Sequence, residues 1–126
     1  MADTTTARLT AIMESSREKM RSNTPLGKNE FEVVTRSFKN QIAEALPLAL
    51  KDNAMRYVRQ ANICFAENPL LQKCTPISIL GALIKASALG LELSSNLGQA
   101  YIVPYRRNKK IGGRFVEIYE AQLQLG

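Results

Sequence analysis

The spacing of apolar residues changes once along this chain, near Gly90, and that change limits the folds open to it. Before Gly90 the apolar residues recur every three or four positions, which is the helical period. After it, residues 115–125 alternate, so that every second side chain lies on the same face of a strand. This order predicts an α+β domain, in which N-terminal helices pack on a small antiparallel sheet that contains a long basic β-hairpin.

Four helices are predicted before Gly90, and their approximate ranges are 7–20, 31–46, 52–67 and 76–89. The last helix has the clearest boundaries. Thr75 is expected to be its N-cap and Pro76 its first residue, where the missing N–H of proline is tolerated. Gly90 is expected at the left-handed C′ position of a Schellman motif, with Leu91 making the accompanying apolar contact.

A turn-rich stretch at residues 22–27 divides the chain. We expect residues 1–27 to form a flexible N-terminal segment with a short helix, a candidate for a contact between subunits. Residues 28–126 are expected to form the α+β core. Because an isolated hairpin is marginally stable in water, this core is expected to be incomplete at its C-terminus and to need further sheet or a partner chain.

Several function classes lack their chemistry in this sequence. Histidine, the commonest general base and metal ligand, is absent, and the two cysteines, Cys64 and Cys74, are too few for a zinc site. No GxxxxGK(S/T) loop is present to hold a nucleotide. The sequence therefore predicts a protein that is not an enzyme and uses no cofactor. A nuclease that uses the scattered carboxylates stays open as an alternative.

The sequence also carries no targeting signal. Residues 1–10 have no apolar run behind a basic start, and the apolar stretch 77–93 is too polar to cross a bilayer. The two cysteines do not form a disulfide framework. We therefore expect a cytoplasmic protein without membrane contact.

The net charge of +6 is concentrated near the C-terminus. Residues 1–50 hold seven basic and six acidic side chains, whereas residues 101–126 hold five basic and two acidic ones. All five of these cations fall in the segment 106–114, which we interpret as the basic, glycine-containing tip of the hairpin. Such a concentration indicates a polyanionic partner. A solvated loop without function is the alternative interpretation.

Aromatic and polar residues flank the basic segment. Tyr101 and Tyr105 precede it, and a base of a single strand can stack on an exposed ring. Gln122 and Gln124 share a strand face and can hydrogen-bond to a DNA backbone, although such residues also suit the solvated face of any strand. The candidate DNA-binding residues are Tyr105, Arg106, Arg107, Lys109, Lys110, Arg114, Gln122, Gln124, Ser94, Ser95 and Asn96. If all five cations contact phosphates, the logarithm of the binding constant should fall with the logarithm of salt concentration with a slope of about −3.5.

Four blocks of sequence resemble the RecT family of phage-type annealing recombinases. They are CTPISILGAL at 74–83, ASALGLEL at 86–93, LGQAYIVPY at 97–105 and EAQLQLG at 120–126. Their order and spacing match the family pattern, and the resemblance is strong over residues 70–126. Members of the family are about twice as long as this chain and continue beyond the last block.

The resemblance implies a protein that binds single-stranded DNA and anneals complementary strands without ATP in homologous recombination. It implies a homo-oligomer, as a ring or helical filament, a phage-type exonuclease as a partner, and a bacterial host with a phage or prophage gene. It implies no catalytic site. Two alternatives remain open: a truncated RecT-like module that binds DNA or joins other subunits without annealing, and a protein-interaction domain with an acidic partner.

Overall fold

The structure, a computed structural model, describes residues 4–93 and 99–126, and in these residues a series of helices precedes one β-hairpin. The elements are α1 (Thr4–Ser22), α2 (Lys28–Ser37), α3 (Lys39–Ala45), α4 (Ala54–Glu67), α5 (Pro76–Leu89), β1 (Ala100–Ile111) and β2 (Arg114–Leu125), with 3-10 helices at Leu48–Asn53 and Leu71–Lys73. The predicted α+β class is confirmed. None of the helices in the described ranges is long and apolar enough to cross a membrane.

The core lies between α2, α4, α5 and the inner end of the hairpin. Phe31 of α2 stacks on Phe65 of α4, with ring centroids 4.0 Å apart and ring planes 3° from parallel. From α5, Ile79 and Leu83 are fully buried. Since α5 packs against both α3 and β2, it joins the helices to the sheet.

The predicted helix over 31–46 is divided at Phe38 into α2 and α3. Phe38 has φ −91° and ψ 6°, and its N–H is shared between the carbonyls of Val34 and Thr35 at 3.2 and 3.1 Å. Two hydroxyls compete for carbonyls in the preceding turn: Thr35 Oγ1 donates to Phe31 O at 2.9 Å, and Ser37 Oγ donates to Val34 O at 2.6 Å. Such back-bonding bends helices, so the prediction of one continuous helix was wrong.

Both ends of α5 fall where the sequence places them. Gly90 has φ 66°, and the N–H groups of Leu91 and Gly90 donate to Ala86 O and Ser87 O, each at 3.0 Å, which is the Schellman pattern. At the other end Thr75 is the N-cap residue, but its hydroxyl bonds to Ser78 Oγ at 3.0 Å. The N–H of Ile77 donates instead to Asn23 Oδ1 at 3.2 Å, so a residue that follows α1 caps the first turn of α5.

One carboxylate joins α1 to α2. Glu30 has 9% of its surface exposed and receives a hydrogen bond from Ser15, one from Lys19 Nζ at 2.7 Å and one from the N–H of Gly27 at 2.7 Å. Burial raises the pKa of Glu30, but the hydrogen bonds from Lys19, Ser15 and Gly27 and the charge of Lys19 outweigh it and hold the pKa below its ordinary value. We call this set of contacts the Glu30 latch.

The hairpin is longer and tighter than the sequence indicates. Its strands pair antiparallel from Ala100 opposite Leu125 to Ile111 opposite Arg114. The turn consists of Gly112 and Gly113 alone, both with positive φ (58° and 81°), as a two-residue type I′ turn requires. The five cations of the predicted tip, residues 106–114, therefore lie on the paired strands, and the turn itself is Gly112-Gly113 alone.

The outer edge of β2 is anchored to Thr75, just before α5, and to Ser78 in the first turn of α5. The N–H of Thr75 donates to Tyr119 O at 2.9 Å, and the N–H of Ala121 donates to Ser78 Oγ at 2.9 Å. The backbone groups of Tyr119 and Ala121 thus point away from β1. The residues opposite them on β1 likewise direct their backbone N–H and C=O groups away from β2. One of these residues is Pro104, opposite Ala121. Proline has no N–H, and it is accommodated at this edge position.

Candidate nucleic-acid interface

The register of the hairpin divides its side chains between two faces, because directly opposed residues of paired strands lie on the same side of a sheet. The inner face includes Ala100, Ile102 and Ala121, which are buried against the helices. The outer face is its opposite. It carries Tyr101, Val103, Tyr105, Arg107, Lys109 and Ile111 from β1, and Arg114, Val116, Ile118, Glu120, Gln122 and Gln124 from β2.

The five predicted cations do not lie on one surface. Arg107, Lys109 and Arg114 are on the outer face, whereas Arg106 and Lys110 are on the inner face. All five are exposed, because the outer half of the hairpin extends beyond the residues that cover the inner face near Ala121. A single strand that follows one face can therefore contact three of the five cations directly.

Two of the cations face a carboxylate. Arg107 Nη1 lies 3.4 Å from Glu120 Oε2 on the outer face, and Arg106 Nη1 lies 3.8 Å from Glu117 Oε2 on the inner face. Exposed ion pairs of this kind contribute little to stability, about 0–1 kcal/mol. Among the described residues, Lys109 and Arg114 have no ion-pair partner.

The predicted aromatic and amide residues share the outer face with three of the cations. Tyr101 and Tyr105 keep 40% and 36% of their surface exposed. Gln124 Nε2 donates to Tyr105 Oη at 2.6 Å, although the direct partner of Tyr105 in the register is Glu120. The hydroxyl of Tyr105 is therefore held towards the end of the hairpin that packs on the helices. The geometry gives Gln124 a contact to this tyrosine that the sequence does not indicate.

Two of the recesses that include outer-face residues adjoin the cations and glutamines of the candidate site. A groove of about 710 Å³ separates α5 from β2, and its walls include Gly81, Lys85 and Gln122. A smaller recess of about 110 Å³ lies among Arg107, Asn108, Lys109, Ile118 and Glu120. Glu120 lines both, so the outer face and the groove beside α5 meet at this carboxylate.

Three predicted site residues, Ser94, Ser95 and Asn96, lie outside the described residues. Glu92 and Leu93, which precede these residues, are held by α4. Gln60 Oε1 accepts the N–H of Leu93 at 3.0 Å, and Arg56 Nε lies 3.3 Å from the Glu92 carboxylate, to which Gln60 also donates. On the far side, Gln99 Oε1 accepts the N–H of Glu92 at 2.8 Å. Sequence reasoning gave no role to Arg56 or Gln60, because nothing in their spacing indicates this contact.

The cysteines have the environment of buried apolar residues. Cys74 is completely buried. Its burial, together with the nearby charge of Glu120, raises the pKa of its thiol to about 11. Burial likewise raises the pKa of the half-buried Cys64. Both are free thiols, and their raised pKa values disfavour the reactive thiolate. In the part of the chain that the structure describes, no three potential metal ligands lie close together.

Comparison with known proteins decides the family. The model of the RecT family matches residues 50–126, a range that includes α4, α5 and the whole hairpin. The chain belongs to the RecT family. The resemblance carried by the four sequence blocks is thus confirmed, and the RecT match begins 20 residues before the part for which the resemblance is strong.

One curated RecT relative shows the same relationship. The chain is 37% identical over 83 residues to Protein RecT of Escherichia coli (strain K12). The matched segment covers 65% of this chain and 30% of that protein, so less than a third of the relative's length is represented. No solved structure gives a significant match.

Proposed function

We propose that this protein binds single-stranded DNA on the outer face of the hairpin and anneals complementary strands without ATP during homologous recombination. Membership of the RecT family supports the general assignment to recombination. The register of the hairpin is the observation that supports this choice of DNA-binding face. It brings three cations, two exposed tyrosines and two glutamines onto one exposed face.

The phosphate backbone would lie along the distal part of the outer face. Arg107 and Lys109 are two residues apart on one strand, a separation of about 7 Å, and Arg114 stands on the neighbouring strand beside the turn. A guanidinium can bind phosphate through two parallel hydrogen bonds, whereas an ammonium acts as a point charge. Three contacts instead of five reduce the expected salt slope from about −3.5 to about −2.

The bases would contact the part of the outer face that lies nearest the helices. Tyr105 offers an exposed ring whose hydroxyl is held by Gln124, and any base can stack on such a ring. Gln122 is exposed on this face and offers an amide to sugar or phosphate oxygens. The contacts are independent of sequence, which a protein that anneals many different strands requires.

Annealing itself would need no nucleotide hydrolysis. A protein that holds the backbone leaves the edges of most bases open to a complementary strand. Stacking in the new duplex then contributes about 1.4 kcal/mol per base-pair step, which drives the reaction. We therefore propose a binding and pairing role without a catalytic residue.

Assembly with further copies is part of the same proposal. Leu9 and Met13 of α1 are exposed apolar residues, and a helix with such residues suits a contact with a neighbouring subunit. A ring or filament of subunits would join several hairpins into one long DNA track. The family resemblance also supports a phage-type exonuclease as a partner and a bacterial cytoplasm as the location.

A matched pair of double variants tests the DNA-binding face. Arg107→Gln with Lys109→Gln removes one arginine and one lysine from the outer face. Arg106→Gln with Lys110→Gln removes the same two residue types from the inner face of the same strand. Binding to a labelled oligonucleotide is measured across salt concentrations. We expect the outer pair to flatten the slope by up to about 1.4 and the inner pair to leave it nearly unchanged.

Equal effects of the two double variants, or a larger effect of the inner pair, would contradict the proposed face.

A fluorescence assay with two complementary labelled oligonucleotides then tests annealing. The wild-type chain should accelerate pairing without ATP, and the outer double variant should not. Binding without acceleration would favour the truncated module that only coats DNA or joins other subunits. No binding even at low salt would favour the protein-interaction domain, and degradation of the oligonucleotide with Mg²⁺ would favour a nuclease.

A further inference from the structure

Glu120 is the acidic residue of the outer face, and its place there is not explained by folding alone. Its carboxylate lies 3.4 Å from Arg107 Nη1, and its side chain is 28% exposed. The pair is at the surface, with the arginine 60% exposed, so its contribution to stability is small. The carboxylate nevertheless stands beside one of the three cations that the proposed function assigns to phosphate.

The small recess of the outer face shows what an incoming phosphate would meet. Its walls hold two cations, Arg107 and Lys109, together with Glu120. A phosphate that enters between the two cations gains their attraction and is repelled by the carboxylate. Arg107 can turn its guanidinium to the phosphate only by sharing or giving up its contact with Glu120.

We infer that Glu120 is a built-in counter-charge that limits the affinity of the outer face for the DNA backbone. This inference rests on the proposed function. A weaker contact with each phosphate lets the protein release DNA faster. Fast release matters because two strands reach the correct pairing register only if misaligned pairings can separate. Electrostatic binding that lets a protein slide and hop along DNA has this property.

Glu117 provides an internal control, because it makes a diagonal ion pair with Arg106 on the opposite face. Its carboxylate lies 3.8 Å from Arg106 Nη1, and both side chains are at least half exposed. The two glutamates are three residues apart on β2, and Glu117→Gln and Glu120→Gln each add one unit of net charge and each remove one ion pair with an arginine of β1. Any difference between the two variants therefore reports the face and not the charge.

The experiment is a titration of a labelled single-stranded oligonucleotide with the wild-type chain and both variants across salt concentrations. We expect Glu120→Gln to bind about five- to tenfold more tightly at low salt, the effect of about one unit-charge contact at the surface. Its salt slope should steepen towards the limit of about −2 for three full phosphate contacts, because Arg107 no longer divides its charge between Glu120 and a phosphate. Glu117→Gln should change the affinity by less than about twofold.

A second comparison separates Glu120 from a merely structural residue. Arg107→Gln should weaken binding more in the Glu120→Gln background than in the wild type, because only there is the guanidinium fully available. Thermal unfolding of each variant checks that the hairpin stays folded. An unchanged affinity of Glu120→Gln, or equal gains for both glutamate variants, would overturn the inference. If the Arg107 and Lys109 double variant binds DNA as tightly as the wild type, the proposed function fails as well. If that double variant binds weakly and Glu120→Gln has the affinity of the wild type, only the inference about Glu120 fails.

Discussion

The Glu30 latch gives a prediction about stability that can be worked out from its contacts. Glu30→Gln keeps one oxygen that can accept the N–H of Gly27, and its amide nitrogen can donate to the hydroxyl of Ser15, but the substitution removes the charge that faces Lys19. A hydrogen bond to a charged group contributes about 1.5–3 kcal/mol. Because Lys19 keeps 37% of its side chain exposed, solvent screens part of this, and we expect a loss of about 1–2 kcal/mol at pH 7.

The same contact should make the stability depend on pH. The pKa of Glu30 in the folded protein lies below its ordinary value of 4.5. The ionised carboxylate therefore stabilises the folded state fully above that value, and this contribution is lost as the pH falls through the lowered pKa. The difference between wild type and Glu30→Gln should be largest at pH 7 and should shrink towards pH 3.

Urea denaturation followed by circular dichroism at both pH values measures this difference. Glu32→Gln is the matched control, since Glu32 lies on the same helix and is exposed. The reasoning about the latch is refuted if the two glutamine variants lose the same stability at pH 7. It is also refuted if the deficit of Glu30→Gln is as large at pH 3 as at pH 7.

Three further predictions concern two glycines and the exposed tyrosine. Gly90→Ala should cost about 1–2 kcal/mol in thermal unfolding, since Gly90 has φ +66° and a Cβ there would lie 3.1 Å from Leu50 Cδ1. Gly81→Ala should instead stabilise the protein by up to about 1 kcal/mol, because a Cβ at this helical position meets nothing within 4 Å; a loss would contradict the open space described at the groove. In oligonucleotide titrations Tyr105→Ala should weaken binding about tenfold and Tyr105→Phe about twofold or less. Equal losses would mean that the hydroxyl, not the ring, is what DNA contacts.

The elements that the sequence predicts best are those whose signals are local. The boundaries of α5 follow from Thr75, Pro76 and Gly90, which act through the backbone geometry of single residues. The hairpin follows from the alternation over residues 115–125, but its two-residue turn at Gly112-Gly113 does not. Local signals of this kind do not depend on what the rest of the chain does.

What the sequence misses depends on contacts between distant residues. The break at Phe38 involves Thr35, whose hydroxyl also lies 3.1 Å from Asn62 Oδ1 on another helix. The Glu30 latch joins residues of two helices across a turn, so no periodicity shows it. In the candidate site, the residue types near 106–114 are visible in the sequence. Their division into an outer and an inner face is not visible, because it depends on where the two-residue turn sets the register.

Pro104 has a consequence for how the hairpin behaves among other chains. A long exposed strand edge offers a row of amide donors to any extended segment nearby, and it is a common starting point of aggregation. Pro104 interrupts that row in the middle of β1, and Thr75 and Ser78 already occupy two positions on the opposite edge. These three residues disfavour the addition of a further strand at those positions, so the long hairpin can stay exposed to solvent with a lower tendency to aggregate.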